Sequence, residues 1–325
     1  MPVYKRIVRS RWWRVLFIAA VVACVTVTTT ASAPGGEPPV DLQDLERQFS
    51  LARDSKDYDR AVVIAEQISD SLFEKHVYAL YNVAAMHCLL GHTEKAYVWL
   101  QRALDAGFWD QRGLLTDENF ASIREEERFK TMVKKARIKQ YIEMLERPER
   151  EEFQKSEQVM AALAFKPGER VADVGAGSGY FTIPVAKAVG PTGTVWAVDI
   201  RQEMLDYIAP RLETENLQNV KLVLAPKDDP TLPPGGVDTI LMVDTWHYIR
   251  DPQYAKKLRT ALAPGGRVVI IDYRPKSWEE RPWGPPPEQQ TPREELDADF
   301  AQAGLKPIKV HDFLPEQYFV EYGLK

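Results

Sequence analysis

Three closely spaced glycines that follow a short apolar run form the most informative segment of this 325-residue chain. The run Val171–Val174 leads directly into Gly175, Gly177 and Gly179. Glycines let the backbone turn tightly and approach a ligand closely, and the amino end of the next helix would face that ligand. Dinucleotide sites prefer G-x-G-x-x-G, whereas this loop is G-x-G-x-G, with Tyr180 where the third dinucleotide glycine would stand. The spacing argues against a dinucleotide.

Acidic residues stand at positions that suit contacts with the same ligand. Asp173 precedes the glycines, and Asp199 ends the next apolar run, where an acid can accept both hydroxyls of a ribose; the alternative is a surface aspartate that caps a helix. Asp228 and Asp229 follow a third apolar run, and either can meet an adenine edge or serve as a turn residue. The candidate cofactor-binding residues are Asp173, Gly175, Ala176, Gly177, Ser178, Gly179, Tyr180, Asp199, Ile200 and Asp228.

Strand-like runs rich in Val and Ile alternate with helical patterns through the second half of the chain. The predicted strands are Arg170–Val174, Val195–Val198, Val220–Leu224, Val237–Val243 and Arg267–Asp272, and the predicted helices include Glu203–Leu212 and Pro252–Leu262. This alternation predicts an α/β fold with a parallel sheet covered on both faces. Ligands of such sheets lie beyond the carboxyl ends of the strands, near the switch point.

These segments, in this order, resemble the class I S-adenosylmethionine-dependent methyltransferases over roughly residues 153–325. The resemblance is carried by VADVGAGSGYFT, VWAVDI, VDTILMVDTWHYI and LAPGGRVVIIDY. It implies S-adenosyl-L-methionine as cofactor, with Asp173 near its charged amino group, and a Rossmann-like, mostly parallel sheet of seven strands. The last two strands would form a hairpin from Pro307–Phe313 and Gln317–Tyr322.

The fourth strand of such a fold ends beside the transferable methyl group, at Asp244 and His247 in this chain. Both are candidate catalytic residues, for positioning the acceptor or for removing its proton, and histidine titrates near neutral pH. His247 could equally be a helix-start residue bonded into the scaffold. Tyr180 could face the sulfonium or pack on the sheet. The long segment from Tyr273 to Gln290 has no periodicity and is expected to be a lid over the acceptor.

The acceptor is expected to be a small molecule, and the aromatic residues of that segment favour an apolar or ring-bearing one. The catalytic half contains no cysteine, which argues against arsenite as acceptor, and the amino-DNA methyltransferase tetrapeptide is replaced by Asp244-Thr245-Trp246-His247. Two rival functions remain. One is a nicotinamide-dependent oxidoreductase; the other is a non-catalytic S-adenosylmethionine-binding adaptor that uses a helical repeat region for protein partners.

The preceding region, residues 41–140, is expected to be a small all-α domain that resembles tetratricopeptide repeats. Polar turns before Ala61 and Ala96 stand 35 residues apart, close to the 34-residue period of those repeats. An unrelated helical hairpin domain is the alternative. Arg147–Glu152 is charged and contains a proline, and it marks the start of the methyltransferase domain, residues 147–325. The helical domain carries no catalytic pattern, and we expect it to bind a protein partner.

The amino terminus has the pattern of an export signal. Five cations precede an apolar run from Val15 to Val27, and Ala31-Ser32-Ala33 forms a small-x-small site. Residues 1–33 are therefore expected to be a signal peptide or membrane anchor, with membrane association through residues 12–31 and a linker at 34–40. A lipoprotein signal at Cys24 is a further interpretation. The expected location is exported or membrane-anchored.

Bulk composition restricts the remaining possibilities. The net charge of −5 gives no sign of a nucleic-acid-binding surface. The two cysteines, Cys24 and Cys88, are too distant in sequence to form a zinc cluster or a disulfide framework, and no structural metal is expected.

Overall fold

The computed structural model describes residues 41–55, 57–108 and 110–324. Two compact units can be separated within them, one that ends at Gln140 and one that begins at Tyr141. The predicted signal or anchor segment and the linker at 34–40 lie outside the described residues. Among the described helices, none is long and apolar enough to cross a membrane.

The first unit is helical. Its helices are α1 (Leu42–Asp54), α2 (Tyr58–Leu89), α3 (Thr93–Asp105), the short α4 (Gln111–Leu114) and α5 (Glu127–Leu145), whose last turn belongs to the second unit, and a 3₁₀ turn spans Glu118–Phe120. Asp41 and Asp57 cap the first two helices, because their carboxylates accept backbone N–H groups of Gln43 and Arg60. The core of this unit contains Ala84, Ala96, Leu100, Ala103, Phe120 and Phe129.

The helices of this unit do not show the predicted resemblance to tetratricopeptide repeats. The polar segments at Asp57 and His92 do precede helices, and Gly91 lies at a turn with a φ of +71°. However, a single helix of 32 residues spans the interval between them, where a tetratricopeptide repeat has two helices and a turn. The sequence contains neither glycine nor proline from Tyr58 to Leu89, so nothing interrupts α2.

The second unit is an α/β domain. Its helices are α6 (Arg150–Gln154), α7 (Ser156–Leu163), α8 (Thr182–Val189), α9 (Gln202–Thr214), α10 (Pro252–Ala261) and α11 (Arg293–Gln302). Its strands are β1 (Arg170–Val174), β2 (Thr194–Asp199), β3 (Val220–Leu224), β4 (Val237–Val243), β5 (Leu262–Tyr273), β6 (Leu305–His311) and β7 (Gln317–Leu324). Short 3₁₀ turns span Trp246–Tyr248 and Pro287–Gln289.

The seven strands form one sheet in the order β3-β2-β1-β4-β5-β7-β6. All neighbours are parallel except β7, which runs antiparallel to both β5 and β6. Alternate residues of β5 enter different cores: Val268 and Ile270 belong to one, Val269 and Ile271 to the other. The predicted Rossmann-like sheet, covered on both faces and ending in a hairpin, is confirmed.

Four strands differ from their predicted bounds. β2 also includes Thr194 and Asp199, β7 continues to Leu324, and β5 and the first hairpin strand, β6, differ as well. β5 begins at Leu262 rather than Arg267, because Leu262 already pairs with Val237 of β4, and the register of the two strands shifts between Leu262 and Arg267. The first hairpin strand is Leu305–His311, so Phe313, predicted as its end, lies in the connection to β7. Strand ends shift by a few residues because pairing with the neighbouring strand, rather than local preference, decides where a ladder stops. The order β1-β4 brings the carboxyl ends of the central strands to one edge of the sheet, where the predicted site residues stand.

Candidate functional site

The glycine loop joins the end of β1 to the start of α8. The backbone N–H groups of Gly175 and Ala176 both donate to the carbonyl of Val198 in β2, at 2.8 and 3.0 Å. Gly175 has a φ of +81°, and a Cβ at this position would lie 2.2 Å from Oγ1 of Thr245. Only glycine satisfies both the backbone conformation and the contact with the segment after β4. The loop is therefore fixed against two strand ends and keeps its backbone close to the ligand side.

Asp199 ends β2 beside this loop. Its side chain is 8% exposed, and its two carboxylate oxygens accept the N–H groups of Gly177 and Arg201, each at 2.9 Å. Burial raises the pKa of this carboxyl, and the two backbone donors act in the opposite direction. Each oxygen keeps a further lone pair, so the carboxylate can also accept the two hydroxyls of a ribose. The neighbouring Ile200 is an exposed apolar side chain.

Asp173 and Ser178 are both buried close to the loop. Thr182 donates its hydroxyl to the Asp173 carboxylate at 2.6 Å, and burial raises the pKa of Asp173 to about 6. The Ser178 hydroxyl has no hydrogen-bond partner among the residues that the structure describes, while its carbonyl accepts Arg211. A buried hydroxyl without a partner costs stability. It therefore suits a ligand that supplies the missing partner.

Asp228 stands apart from this hydrogen-bonded group. It lies between β3 and β4 with a side chain that is 82% exposed, 3.9 Å from Nζ of Lys257. The same lysine donates to the Asp228 backbone carbonyl at 2.7 Å. The structure thus ties this segment to α10, and an adenine contact by Asp228 stays a prediction.

Tyr180 faces a cation that belongs to the protein. The guanidinium carbon of Arg150 lies 4.1 Å from the ring centroid, and the phenol hydroxyl donates to Glu151 at 3.0 Å. Such cation–π contacts stabilise by about 0.5–2 kcal/mol. The ring of Tyr180 thus contacts Arg150, and its contact with a sulfonium stays a prediction.

Asp244 follows β4 in a left-handed conformation, with a φ of +51°. Its carboxylate accepts the side-chain amide of Gln317 at 2.5 Å and lies 3.6 Å from the Arg150 guanidinium. Gln154 bonds to Gln317 at 3.1 Å and completes a buried polar group. Burial raises the pKa of Asp244 to about 6, although Arg150 opposes the shift.

His247 is held by a residue that no sequence motif singled out. Asp272, at the end of β5, accepts the His247 backbone N–H at 2.9 Å and approaches its Nδ1 at 2.7 Å. His247 is 5% exposed and Asp272 is 1% exposed. An acid at the end of an apolar strand is the same signal that identified Asp199, and it could have identified Asp272.

Four further residues of the site come from segments far away in sequence. Arg150 and Gln154 lie on α6, in the charged segment that was interpreted as a domain boundary, and Gln317 opens β7. Tyr141 lies in the last turn of α5, with the Arg201 guanidinium 4.5 Å from its ring. No local motif marks these residues, because only the folded sheet brings them together.

The segment after β5 packs aromatic residues around Tyr273, at the end of β5. The Trp283 ring lies 4.5 Å from that of Phe153 and 5.9 Å from that of Tyr273. The buried Arg281 donates to the Arg274 and Glu316 carbonyls and lies 4.8 Å from the Tyr273 ring. The segment is irregular apart from one 3₁₀ turn, as predicted from its lack of periodicity, and its role as a lid stays a prediction.

Comparisons with known proteins agree with this geometry. Residues 171–266 match the family model of a methyltransferase domain. A crystal structure of a SAM-dependent methyltransferase from Aquifex aeolicus is similar at 28% identity and a TM-score of 0.52, over 56% of this chain and 95% of that one.

Curated relatives match over shorter stretches. A ubiquinone/menaquinone biosynthesis C-methyltransferase from Burkholderia multivorans is 32% identical over 37% of this chain and 49% of its own length. An uncharacterised 37.1 kDa transposon protein from Streptomyces fradiae is 35% identical over 34% of this chain and 32% of its own length. The chain thus spans half or less of the curated relatives it matches. Sheet order, glycine loop and family match agree that residues 141–325 have the fold of class I methyltransferases, and the comparisons support S-adenosylmethionine as the cofactor.

Proposed function

We propose that this protein transfers the methyl group of S-adenosylmethionine to a small-molecule acceptor by in-line displacement. The observation that carries the proposal is the buried Asp199 carboxylate, bonded to the glycine loop at Gly177 and still able to accept two hydroxyls. We call residues 173–180 and 199–201 the donor side. We call Arg150, Asp244, His247, Asp272 and Gln317 the acceptor side.

The two sides have different tasks in a displacement. When bound, S-adenosylmethionine supplies an electrophilic methyl carbon on a positively charged sulfur. The chain has to align an acceptor with that methyl group and exclude water. Alignment alone can lower the activation free energy by several kcal/mol. The Thr245 side chain, which a Cβ on Gly175 would touch, connects the glycine loop to the segment that carries Asp244 and His247. This close approach supports placing the acceptor beside the donor.

A ring-bearing acceptor is the class that we favour. Phe153, Tyr273 and Trp283 pack together next to the acceptor side, and aromatic surfaces stabilise planar rings. The partial similarity to C-methyltransferases of ubiquinone and menaquinone biosynthesis supports a quinone-like ring. Membrane association through residues 12–31, which lie outside the described residues, would suit such a lipid-phase acceptor.

The test is methyl transfer from labelled S-adenosylmethionine to a metabolite extract, with wild type and Asp199→Ala compared. We expect labelled products with wild type and a large loss with the variant. Thermal-shift titration with S-adenosylhomocysteine and with NADH is run alongside. Stabilisation by NADH alone would contradict the proposal, and cofactor binding without any labelled product would favour the adaptor function.

We also propose a protein partner for residues 41–140 and an exported or membrane-anchored location for the chain. The helical unit carries several exposed apolar side chains, among them Leu72, Met86 and Leu89, which supports a docking role. The export-like pattern of residues 1–33 supports the location. Fractionation of a tagged full-length protein tests it, and recovery in the soluble cytosolic fraction alone would contradict it.

A further inference from the structure

His247 and Asp272 form a buried pair in which the histidine is fixed at two points. Asp272 accepts both the backbone N–H of His247 and, at 2.7 Å, its ring Nδ1. The same carboxylate accepts the Tyr273 backbone N–H at 2.8 Å. Because an ionised carboxylate only accepts hydrogen bonds, the ring proton of a neutral imidazole lies on Nδ1. The lone pair of the ring is therefore on Nε2.

This Nε2 atom has no hydrogen-bond partner among the described residues, although it is fully buried. An unpaired buried acceptor costs about 1–3 kcal/mol, so native structures keep few of them without a reason. A histidine that only anchored the turn after β4 would need the bonds to Asp272 and nothing more. The unpaired Nε2 is the feature that a purely structural role leaves unexplained.

We propose that His247 is the general base of the methyl transfer and that Asp272 is its positioning residue. The inference rests on the proposed function. It assigns the acceptor a class, a molecule whose nucleophilic atom carries a proton, as in an N–H group or in the O–H group of a quinone-like ring in its reduced, hydroquinone form. That proton passes to Nε2 as the bond from the nucleophilic atom to the methyl carbon forms. The bond between methyl carbon and sulfur breaks, and its electron pair stays on sulfur. Asp272 stabilises the resulting imidazolium, which returns its proton to solvent.

Asp244 is the competing base on the acceptor side. Its carboxylate already accepts the Gln317 amide and faces the Arg150 guanidinium, and these two contacts oppose, without cancelling, the rise in its pKa that burial causes. A proton taken up there would break an ion pair, whereas a proton on Nε2 would create one with Asp272. The geometry therefore favours His247 for proton removal and Asp244 for positioning.

The other titratable groups around His247 are tyrosines and carboxyls. The Tyr248 ring lies 4.0 Å from the His247 ring, and the Tyr273 ring lies 6.1 Å away. Burial raises the pKa of Tyr273 well above its usual value, and Tyr248 is 60% exposed with a phenol of a kind that ordinarily stays neutral below about pH 10, so neither ionises near neutral pH. Tyr318 packs close to Asp272, and burial raises its pKa as well. Variants of His247 and Asp244 therefore separate the two candidate bases.

The test variant is His247→Asn, whose amide can still donate to Asp272 but which has no Nε2. We measure labelled methyl transfer to the extract as a function of pH, for wild type, His247→Asn and Asp244→Asn. The matched control is His311→Asn, since His311 also contacts a carboxylate, Glu321 at 2.7 Å, but lies on β6, two strands away from β5. Calorimetric affinity for S-adenosylhomocysteine checks that each variant keeps its fold.

We expect His247→Asn to lose at least about 100-fold in rate with unchanged S-adenosylhomocysteine affinity, the usual size of a general-base contribution. The fall in rate at low pH should be absent from the remaining activity of His247→Asn and retained in Asp244→Asn. His311→Asn should behave as wild type. A His247→Asn rate within about threefold of wild type, with the same pH profile, would overturn the inference and leave the proposed function standing.

Two further outcomes are decisive. If wild type binds S-adenosylhomocysteine but labels nothing, the proposed function fails and the inference fails with it. If His247→Asn does not fold, nitrogen NMR of the wild-type protein decides, with signals assigned by replacing the other four histidines one at a time. A neutral His247 with its proton on Nδ1 supports the inference, and a proton on Nε2 refutes it.

Discussion

The carboxyl ends of β1 and β2 offer the ligand backbone amides, glycines and one carboxylate, whereas those of β4 and β5 offer side chains drawn from distant segments. On the donor side, hydrogen bonds join the glycine loop to the end of β2. The bonded residues all lie between Gly175 and Asp199 in the sequence. On the acceptor side Arg150, Asp244 and Gln317 meet across more than 160 residues of chain. A site for a common cofactor can thus be built from one local unit, while a site for a particular acceptor is assembled from several.

The largest expected effect is that of Gly175→Ala, which adds a side chain where the glycine loop lies closest to Thr245. The added Cβ would lie within 3 Å of three atoms of Thr245, and the alanine would have to adopt a φ of +81°. We expect S-adenosylhomocysteine affinity to fall by at least about 100-fold, together with a lower melting temperature. Gly190→Ala is the matched control, because Gly190 also has a positive φ but no atom lies within 4 Å of the Cβ that alanine would add there. Equal losses in both variants would show that backbone strain, not the contact with Thr245, is the cause.

Asp173→Asn separates stability from ligand binding on the same side. Burial raises the pKa of Asp173 from 3.8 to about 6, so in that interval the folded protein holds a proton that the unfolded chain has lost. The free energy of unfolding therefore falls as pH rises through the interval, and stability is greatest below it. Asparagine does not ionise and should remove this dependence, raising stability at pH 7 by up to about 3 kcal/mol.

Urea unfolding of Asp173→Asn and wild type at pH 5 and 7 measures the effect. Asp199 and Asp244 also have raised pKa values, so the pH dependence should shrink rather than vanish. An Asp173→Asn variant that is less stable than wild type at pH 7 would mean that the Thr182 hydrogen bond outweighs the cost of the buried charge.

Asp228→Ala examines where the donor side ends. The Asp228 side chain is exposed and lies near Lys257, so any contact with an adenine would be solvent-screened. We expect calorimetric affinity for S-adenosylhomocysteine to fall by about two- to fivefold, well below the effect of changes at the loop. A loss as large as that at Gly175 would extend the donor side to the β3–β4 connection.

Tyr180→Phe should have the smallest effect. It removes a hydroxyl that bonds to Glu151 on the surface but keeps the ring that faces Arg150. We expect a loss of about 0.5 kcal/mol in the free energy of unfolding, and cofactor affinity within about twofold of wild type. A tenfold loss of affinity would instead place the hydroxyl in contact with the ligand.

The contrast between the two sides also explains what could be predicted from sequence. The strands β1, β3 and β4 were predicted to the residue, and the glycine loop with Asp199 follows from local patterns of strand, turn and acid. Asp244 and His247 were identified because a resemblance to a family places them at the end of β4. Their partners Arg150 and Gln317 were missed, because these residues meet Asp244 only through pairing of β5 with β7 and packing of α6. Asp272 was missed although an acid at the end of an apolar strand is a local signal.

The helical unit shows the same limit in a different form. Local signals located the turns before α2 and α3 correctly, since aspartate caps and a glycine act within a few residues. A period of 35 residues does not say whether one helix or two occupy the interval. The uninterrupted α2 shows that the spacing of two turns is insufficient to identify a repeat.

The most direct test of the division between a donor side and an acceptor side is calorimetric titration of S-adenosylhomocysteine into Asp199→Ala and His247→Asn in parallel. Asp199→Ala removes a buried carboxylate that we assign to the ribose, so its affinity should fall by at least about tenfold relative to wild type. His247→Asn should stay within about threefold of wild type, because His247 belongs to the acceptor side. Unchanged affinity in Asp199→Ala together with a large loss in His247→Asn would contradict the account.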